Sequence, residues 1–339
     1  MSTNGLVVAI VGATGAVGEE MRAVLAERRF PVSRLVPLAS ERSAGQTVEW
    51  RGEDCLVQVL NEDSFHEVDI ALFSAGGSIS EKFAPIAADC GCYVVDNSSA
   101  FRMMPEIPLV VPEVNPGALE QESMIIANPN CSTIQEVVAL QPLHAVAGLK
   151  RVVASTYQSA SGAGRNGMDE LRDQTIDLLN FREPKNNTFS RRLAFDTIPQ
   201  IDVFQDDGFT KEEHKMMFET RKIMELPDLP VCATCVRVPV FLGHAMSINA
   251  EFERPISVED AMSALENAPG VILHRDPADF PVAADAQGAD DVHIGRLRVD
   301  PSAPNALTFW VVADNLRKGA ATNAVQIAEL LKAAGHLDG

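Results

Sequence analysis

Leu6-Val-Val-Ala-Ile-Val11 runs directly into Gly12-Ala-Thr-Gly15-Ala-Val-Gly18. A short apolar run that stops at glycine reads as a buried strand. Residues 16–29 then place Val17, Met21, Val24 and Leu25 at helical spacing. Glycines between a strand and a helix let the backbone approach a pyrophosphate. The helix N-terminus adds oriented N–H groups and partial positive charge. The spacing is G-x-x-G-x-x-G rather than G-x-G-x-x-G, and a plain tight turn would also want glycine. The strand before it and the helix after it favour a dinucleotide site built on Gly12, Thr14, Gly15, Ala16 and Val17.

Outward from that turn the alternation continues. Residues 34–39, 69–74, 92–96, 109–111 and 124–127 are further strand candidates, and 79–90 reads as a helix. This order predicts a parallel sheet covered on both faces, a Rossmann-type doubly wound α/β domain. The end of the second strand is where such domains read the adenosine ribose. Here it is Ser40-Glu41-Arg42-Ser43. Arg42 and Ser43 suit the 2′-phosphate of NADP, whereas Glu41 would suit the free hydroxyl of NAD.

The second half changes character. Residues 150–158, 231–253, 292–299 and 306–313 are long alternating strand candidates, with helices near 165–180, 211–225 and 257–267. They predict an α+β domain on a mixed sheet. A last helix over 319–334 carries Ala320, Ala324, Ile327, Ala328 and Leu331 on one side. The polar stretch 182–187 reads as an exposed loop.

Composition narrows the function classes. The chain of 339 residues suits two domains, and 46% hydrophobic with 22% charged residues is ordinary globular composition. With 28 Lys and Arg against 47 Asp and Glu, the net charge of −19 repels phosphate backbones. No run of basic residues offsets it, so no nucleic-acid partner is expected. No apolar run approaches the ~20 residues of a membrane helix, and no basic segment precedes Leu6. A cytoplasmic protein with no membrane partner is expected, its six cysteines present as thiols. Cys232 and Cys235 have the spacing of a redox or zinc pair, but they lie in a strand candidate and lack a second pair. No metal site is expected. Cys90 and Cys92 read as core residues.

Asn128-Pro129-Asn130-Cys131-Ser132-Thr133 joins a strand candidate to a strongly apolar helix. A cysteine at such a junction gains thiolate character from the helix dipole and free N–H groups. The pattern by itself leaves two readings, a nucleophile and a buried structural cysteine.

Taken together, the glycine turn, Asn97-Ser98-Ser99-Ala100-Phe101-Arg102, Asn128 to Thr133, Tyr157-Gln158-Ser159-Ala160-Ser161-Gly162-Ala163-Gly164, and Val236-Arg237-Val238-Pro239 with Gly243-His244 resemble the aspartate-β-semialdehyde dehydrogenase family. The matches keep family order over nearly the whole chain. The resemblance implies NADPH-dependent reduction of L-aspartyl-4-phosphate to L-aspartate-4-semialdehyde with release of phosphate. That reaction serves lysine, threonine and methionine biosynthesis, and diaminopimelate with it. The family implies Cys131 as the nucleophile that forms an acyl-thioester and His244 as general acid/base. Gln158, Arg237 and Glu212 would hold the substrate, and Arg102, Asn130 and Lys215 its phosphate. Ser161, Gly162 and Asn315 would join Thr14, Gly15, Ala16, Val17, Arg42 and Ser43 at the cofactor. A homodimer is implied, as is a division into an NADP domain (1–130 and 316–339) and a catalytic and dimerisation domain (131–315).

Each of these residues has a plainer reading alone. Glu212 and Lys215 are three apart on a helix candidate, and such a pair is commonly an exposed ion pair. Arg237 could be a surface strand arginine, and His244 a satisfied structural histidine. Their joint occurrence decides between the readings, because one acid, one arginine and two further cations suit a substrate bearing an ammonium, a carboxylate and a phosphoryl group. An N-acetyl-γ-glutamyl-phosphate reductase would share the cysteine but have no substrate ammonium for Glu212. A non-catalytic NADP-binding homologue would have lost the cysteine, histidine or arginine. Arg237 and His244 lie seven apart, which on one straight strand points them to opposite faces. Pro239 and Gly243 between them predict a bulge or bend that returns both to one pocket.

Overall fold

The structure, a computed structural model, describes residues 5–337. The chain divides after Asn130 and again after Gly319, so that the C-terminal segment returns to the first unit. That return begins at Ala320, four residues beyond the expected 316.

The first unit contains β1 (Leu6–Val11), α1 (Ala16–Glu27), β2 (Val32–Ala39), a hairpin of β3 (Thr47–Trp50) and β4 (Glu53–Leu56), β5 (Gln58–Val59), β6 (Ile70–Phe73), α2 (Gly77–Asp89), β7 (Tyr93–Asp96) and β8 (Ile125–Ala127). The main sheet runs β5-β2-β1-β6-β7-β8, and every pairing in it is parallel. Counted along the chain this is the order 3-2-1-4-5-6 of a dinucleotide fold, with the switch point between β1 and β6. The central strands are buried on both faces, as β6 shows throughout its length. The hairpin has no counterpart in the sequence reading. Residues 109–111 do not form a strand; Leu109 makes a single bridge to Ala127. Cys92 is buried as expected, but Cys90 is exposed, because α2 ends there and turns through Gly91.

The second unit contains α3 (Cys131–Ala147), β9 (Leu149–Gln158), α4 (Gly164–Leu179), α5 (Lys211–Ile223), β10 (Val231–Arg237), β11 (His244–Phe252), α6 (Val258–Glu266), β12 (Val271–Leu273), β13 (Val292–Val299) and β14 (Ala306–Ala313). Its mixed sheet runs β10-β9-β11-β14-β13-β12. Residues 132–140 of α3 are all buried, so this helix lies inside the unit rather than on its surface.

The last helix begins with a π turn, Arg317–Ala321, and continues as α7 (Thr322–Ala333) in the first unit. Ala324, Ile327, Ala328 and Leu331 join the core formed by Val8, Ile10, Met21 and Leu25. Among the described residues no helix is long and apolar enough to cross a membrane, and no group of three or more His, Cys, Asp or Glu side chains could hold a metal ion. Cys232 is exposed and Cys235 buried, on opposite faces of β10.

Candidate active site

The second unit gathers its polar residues at one end of its sheet. Parallel pairing sets Arg237, the last residue of β10, opposite Gln158, the last of β9. Antiparallel pairing sets Ala245 opposite Tyr157, and Ala313 opposite His244. Alternation then places Gln158, Arg237 and His244 on the buried face, in line with Thr156, Cys235 and Met246. That face is the one covered by α3 and α5.

The expected single strand over 231–253 is two strands, and they lie on opposite sides of β9. Residues 238–243 leave the sheet between them. Val240 and Phe241 present their carbonyls to the N–H groups of Ala160 and Ser161, at 2.7 and 3.0 Å. Gly243 takes φ +86°, and a Cβ there would stand 2.8 Å from the Ala283 carbonyl oxygen. The break removes the parity problem, since residues on separate strands need not alternate together. Its result is visible at Gly162, where an added Cβ would lie 2.6 Å from Arg237 Nη1 and 3.2 Å from His244 Nε2.

Cys131 is the first residue of α3 and half-buried. Gly319 lies against it, with room for no methyl: a Cβ there would be 2.9 Å from Cys131 Cβ. The neighbouring Ser132 Oγ accepts from Gln158 Nε2 at 2.7 Å. Gln158 Nε2 also lies 3.3 Å from Glu212 Oε1. Burial lowers the affinity of Arg237 for its proton, while the charges of Glu212 and Cys131 act in the opposite sense. Arg237 Nη1 donates to the Ser159 carbonyl at 2.7 Å.

Helix α5 delivers Glu212 and Lys215. Thr210 caps it, accepting from Glu213 N–H while Glu213 accepts from Thr210 N–H. Glu212 is buried, and Lys215 Nζ sits 3.1 Å from its Oε2 and 2.9 Å from Asp202 Oδ2. Burial opposes the Lys215 charge, but Glu212 and Asp202 outweigh it and hold the ammonium above its ordinary range. The pair is therefore not the exposed surface pair that its spacing alone suggests.

His244 is fully buried. Its Nδ1 accepts from the Ser159 backbone N–H at 3.1 Å and lies 3.0 Å from Ser159 Oγ. Its Nε2 has no partner among the described residues. Burial, reinforced by Arg237, pulls its pKa down to about 3, against the pull of Glu212. Asn315 Oδ1 receives Ser159 Oγ at 3.1 Å, Ser161 Oγ at 2.9 Å and Gly243 N–H at 3.1 Å. An N–H only donates, so Gly243 fixes which end of the Asn315 amide is oxygen.

The first unit carries the other predicted residues. Gly12 takes φ +92°, and a Cβ there would stand 2.5 Å from the Ser74 carbonyl oxygen. A Cβ on Gly18 would stand 2.3 Å from the Gly12 carbonyl oxygen, so α1 packs against the turn through a bare backbone. Gly15 precedes α1 and offers no side-chain cap, which leaves the first N–H groups at Ala16 and Val17 open to an anion. Thr14 is half-buried beside them. Arg42 is exposed in the turn Glu41–Ser43 after β2, next to half-buried Ser43. Arg102 and Asn130 are buried in this unit; Arg102 donates to the carbonyls of Asn128 and Asn97, each at 2.9 Å.

Comparison with known proteins assigns this arrangement to a family. The model "Semialdehyde dehydrogenase, NAD binding domain" matches residues 7–122, and "Semialdehyde dehydrogenase, dimerisation domain" matches 140–318. An aspartate-semialdehyde dehydrogenase of Aquifex aeolicus is 55% identical over 96% of this chain and 98% of its own. The chain belongs to the aspartate-semialdehyde dehydrogenase family. Among solved structures, aspartate semialdehyde dehydrogenase II of Vibrio cholerae complexed with ASA superposes with a TM-score of 0.96, at 54% identity and covering 98% and 99% of the two chains. The aspartate semialdehyde dehydrogenase of Candida albicans with NADP gives 0.77, at 25% identity and covering 98% and 100%.

Three residues of this family member drew no role from the sequence. Ser159 and Ser132 bind the site together through hydrogen bonds between distant segments, and nothing local marks a serine for that. Gly319 did carry a signal, a glycine inside an otherwise helical pattern.

Proposed function

We propose that this protein reduces L-aspartyl-4-phosphate to L-aspartate-4-semialdehyde and phosphate with NADPH, reversibly, through a thioester on Cys131. The observation that carries this reading is the grouping of Arg237 and His244 on the buried sheet face with Glu212 of the covering helix α5, tied through Gln158 to the first turn of α3. The semialdehyde dehydrogenase relatives support it by name.

The residues fit a dinucleotide. The uncapped start of α1 and the close-packed glycine turn suit a pyrophosphate, and exposed Arg42 beside Ser43 suits a 2′-phosphate. Gly12, Thr14, Gly15, Ala16, Val17, Arg42 and Ser43 would hold that part. Ser161, Gly162 and Asn315 are assigned to the nicotinamide end, where Ser159, Ser161 and Gly243 hold the Asn315 amide oxygen. When bound, NADPH supplies the hydride that reduces the acyl group.

The Cys131 sulfur attacks the acyl carbon; a C–S bond forms, the C–O bond to phosphate breaks, and phosphate leaves with the bonding pair. The start of α3 favours the thiolate needed for this step. The Arg237 fork suits the α-carboxylate, and buried Glu212 suits the α-ammonium. That ammonium separates this substrate from an N-acetylated acyl phosphate. Lys215 is assigned to the phosphoryl group, as are Arg102 and Asn130 on family resemblance. His244 serves the acyl oxygen, with its Nε2 unpartnered among the described residues.

The product feeds lysine, threonine and methionine biosynthesis in this reading. Homodimerisation is assigned to the second unit, supported by its dimerisation-domain match and by the aromatic pair of Tyr157 and Trp310, with Tyr157 exposed on β9. The test is phosphate-dependent reduction of NADP by aspartate semialdehyde, with N-acetylglutamate semialdehyde as the control. Cys131→Ala is expected to lose about 10³-fold or more in kcat while still binding NADP. Turnover surviving in that variant defeats the covalent route.

A further inference from the structure

We infer that Phe189 is a positioning residue for the carboxylate-binding arginine: a strap over residues 187–198, latched to α4 by Glu170 and Gln174, lays the Phe189 ring against the Arg237 guanidinium. This deepens the substrate reading above and rests on the role given there to Arg237.

The latch stands on one face of α4. Glu170 and Gln174 are four apart, so they lie one turn apart on the same side of the helix, and both are buried. Glu170 Oε2 accepts the N–H groups of Asn187 and Thr188, and its Oε1 accepts that of Phe189 at 3.2 Å. Hydrogen bonds to a carboxylate are charge-assisted and stronger than neutral ones. Gln174 holds the strap further along. Its Oε1 accepts from Leu193 and Ala194 N–H at 2.8 and 3.0 Å, while its Nε2 donates to the Lys185 carbonyl at 3.0 Å. A segment outside helix and strand is thus pinned by two side chains of one helix.

The strap then meets Arg237 twice. Ile198 and Arg237 exchange both N–H···O bonds at 2.9 Å, an antiparallel bridge on the outer edge of β10. Earlier in the strap, the Phe189 ring lies under the guanidinium, whose Cζ is 5.9 Å from the ring centroid. Thr188 and Ser190 are exposed, as are Phe181 and Phe195 on either side, yet Phe189 is half-buried. Its ring packs against Ala160, Leu171 and Leu193 in a small apolar cluster. Gly167 of α4 makes room for it, since a Cβ there would stand 3.1 Å from Phe189 Cζ.

A carboxylate clamp needs this kind of support. Arg237 Nη1 donates to the Ser159 carbonyl at 2.7 Å, and one bond fixes one corner of a flat group while leaving it free to tilt. An aromatic face carries negative charge density and attracts a guanidinium stacked on it. That attraction consumes no N–H. The ring therefore restrains the plane of the fork and leaves its donors for two parallel bonds to the substrate carboxylate. Burial also works against the Arg237 charge, and the ring face offsets part of that cost.

The test is steady-state kinetics of the intact enzyme with aspartate semialdehyde, phosphate and NADP. Para-fluoro-, trifluoro- and pentafluorophenylalanine at position 189 keep the ring nearly constant in size and progressively withdraw charge from its face. KM for the semialdehyde is expected to rise stepwise along the series, to about 3-fold or more, with kcat and the KM values for phosphate and NADP close to native. A ring needed for packing alone gives a flat series, and a flat series overturns the inference. Glu170→Gln tests the latch without touching the ring, because an amide must turn its NH2 toward backbone donors whichever way it is placed. Faster deuterium exchange at the amides of 187–189 and the same selective rise in KM are expected. A native KM in this variant overturns the inference whether or not those amides are released. Arg237→Ala is the control. An unchanged semialdehyde KM there defeats the reading of Arg237 and this inference with it, whereas a KM that responds to Arg237 but not to Phe189 defeats the inference alone.

Discussion

Gln158 Nε2 donates to Ser132 Oγ across 2.7 Å, which ties the end of β9 to the first turn of α3. Register makes this bond useful. Gln158 pairs with Arg237 in the neighbouring strand, so one glutamine links the helix that begins at Cys131 to the strand that ends at the arginine. The helix turn that carries the sulfur is thus anchored to the sheet.

Gly319 controls the other side of the sulfur-bearing residue. Alanine there would bring a methyl to 2.9 Å from Cys131 Cβ. Gly319→Ala is expected to lower kcat by about 10²-fold, the scale of a ~1 Å misplacement of a reacting group. Steady-state kinetics with aspartate semialdehyde, phosphate and NADP reads the effect. Native kcat in a folded Gly319→Ala enzyme would show that Cys131 does not depend on this contact.

Gly162 is where the arginine and the histidine converge. A methyl at 2.6 Å from Arg237 Nη1 must displace a guanidinium already held by the Ser159 carbonyl. Gly162→Ala is expected to raise KM for the semialdehyde by about 10-fold or more, since hydrogen bonds to charged groups contribute ~1.5–3 kcal/mol. Circular dichroism should stay native. An unchanged KM would remove Arg237 from the binding role.

Arg42 tests the cofactor. It is exposed in the turn after β2, so its loss costs little packing. Arg42→Ala is expected to weaken NADP binding by about 10-fold or more and to leave NAD binding nearly unchanged. Fluorescence titration with both dinucleotides decides it, and an equal loss for both would count against a 2′-phosphate contact.

Glu136 tests the interior of α3. It is fully buried; Thr220 Oγ1 donates to its Oε2 at 3.0 Å, and its Oε1 has no partner among the described residues. Burial pushes its pKa up to about 8, a shift that the Thr220 bond only partly offsets. A carboxyl raised on folding binds its proton more tightly in the native state. Its stabilising share is complete below the ordinary carboxylate range and is lost as pH rises through about 8. Glu136→Gln removes this dependence. Its Tm should match native enzyme near pH 4.5 and exceed it by roughly 5 °C at pH 9. A constant difference across that range would mean that Glu136 does not titrate as described.

Strand and helix order in the first unit was readable because each element carries its own apolar period and stops at glycine or a polar turn. Residues 69–74 and β6, or 319–334 and the last helix, differ only at their ends. The hairpin of β3 and β4 was not readable, since Thr47–Trp50 and Glu53–Leu56 bury almost nothing and so show no clear pattern. Residues 231–253 misled for the opposite reason. Both strands alternate; Pro239 and Gly243 mark the bend between them, but the parting of the two strands to opposite sides of β9 is set by strand pairing and by carbonyls that bond to Ala160 and Ser161.

By itself the chain determined the glycine turn, the cysteine opening an apolar helix, and the residue types that suit a charged amino-acid substrate. These are local matters of spacing and chemistry. Only the tertiary structure decided that Arg237 and His244 share a face, that half-buried Lys215 pairs with a buried Glu212 rather than forming a surface pair, and which nitrogen of His244 accepts a bond. Each of those depends on strands brought together across tens of residues, where hydrogen-bond direction and side-chain parity are set by the neighbouring strand and not by the residue's own sequence.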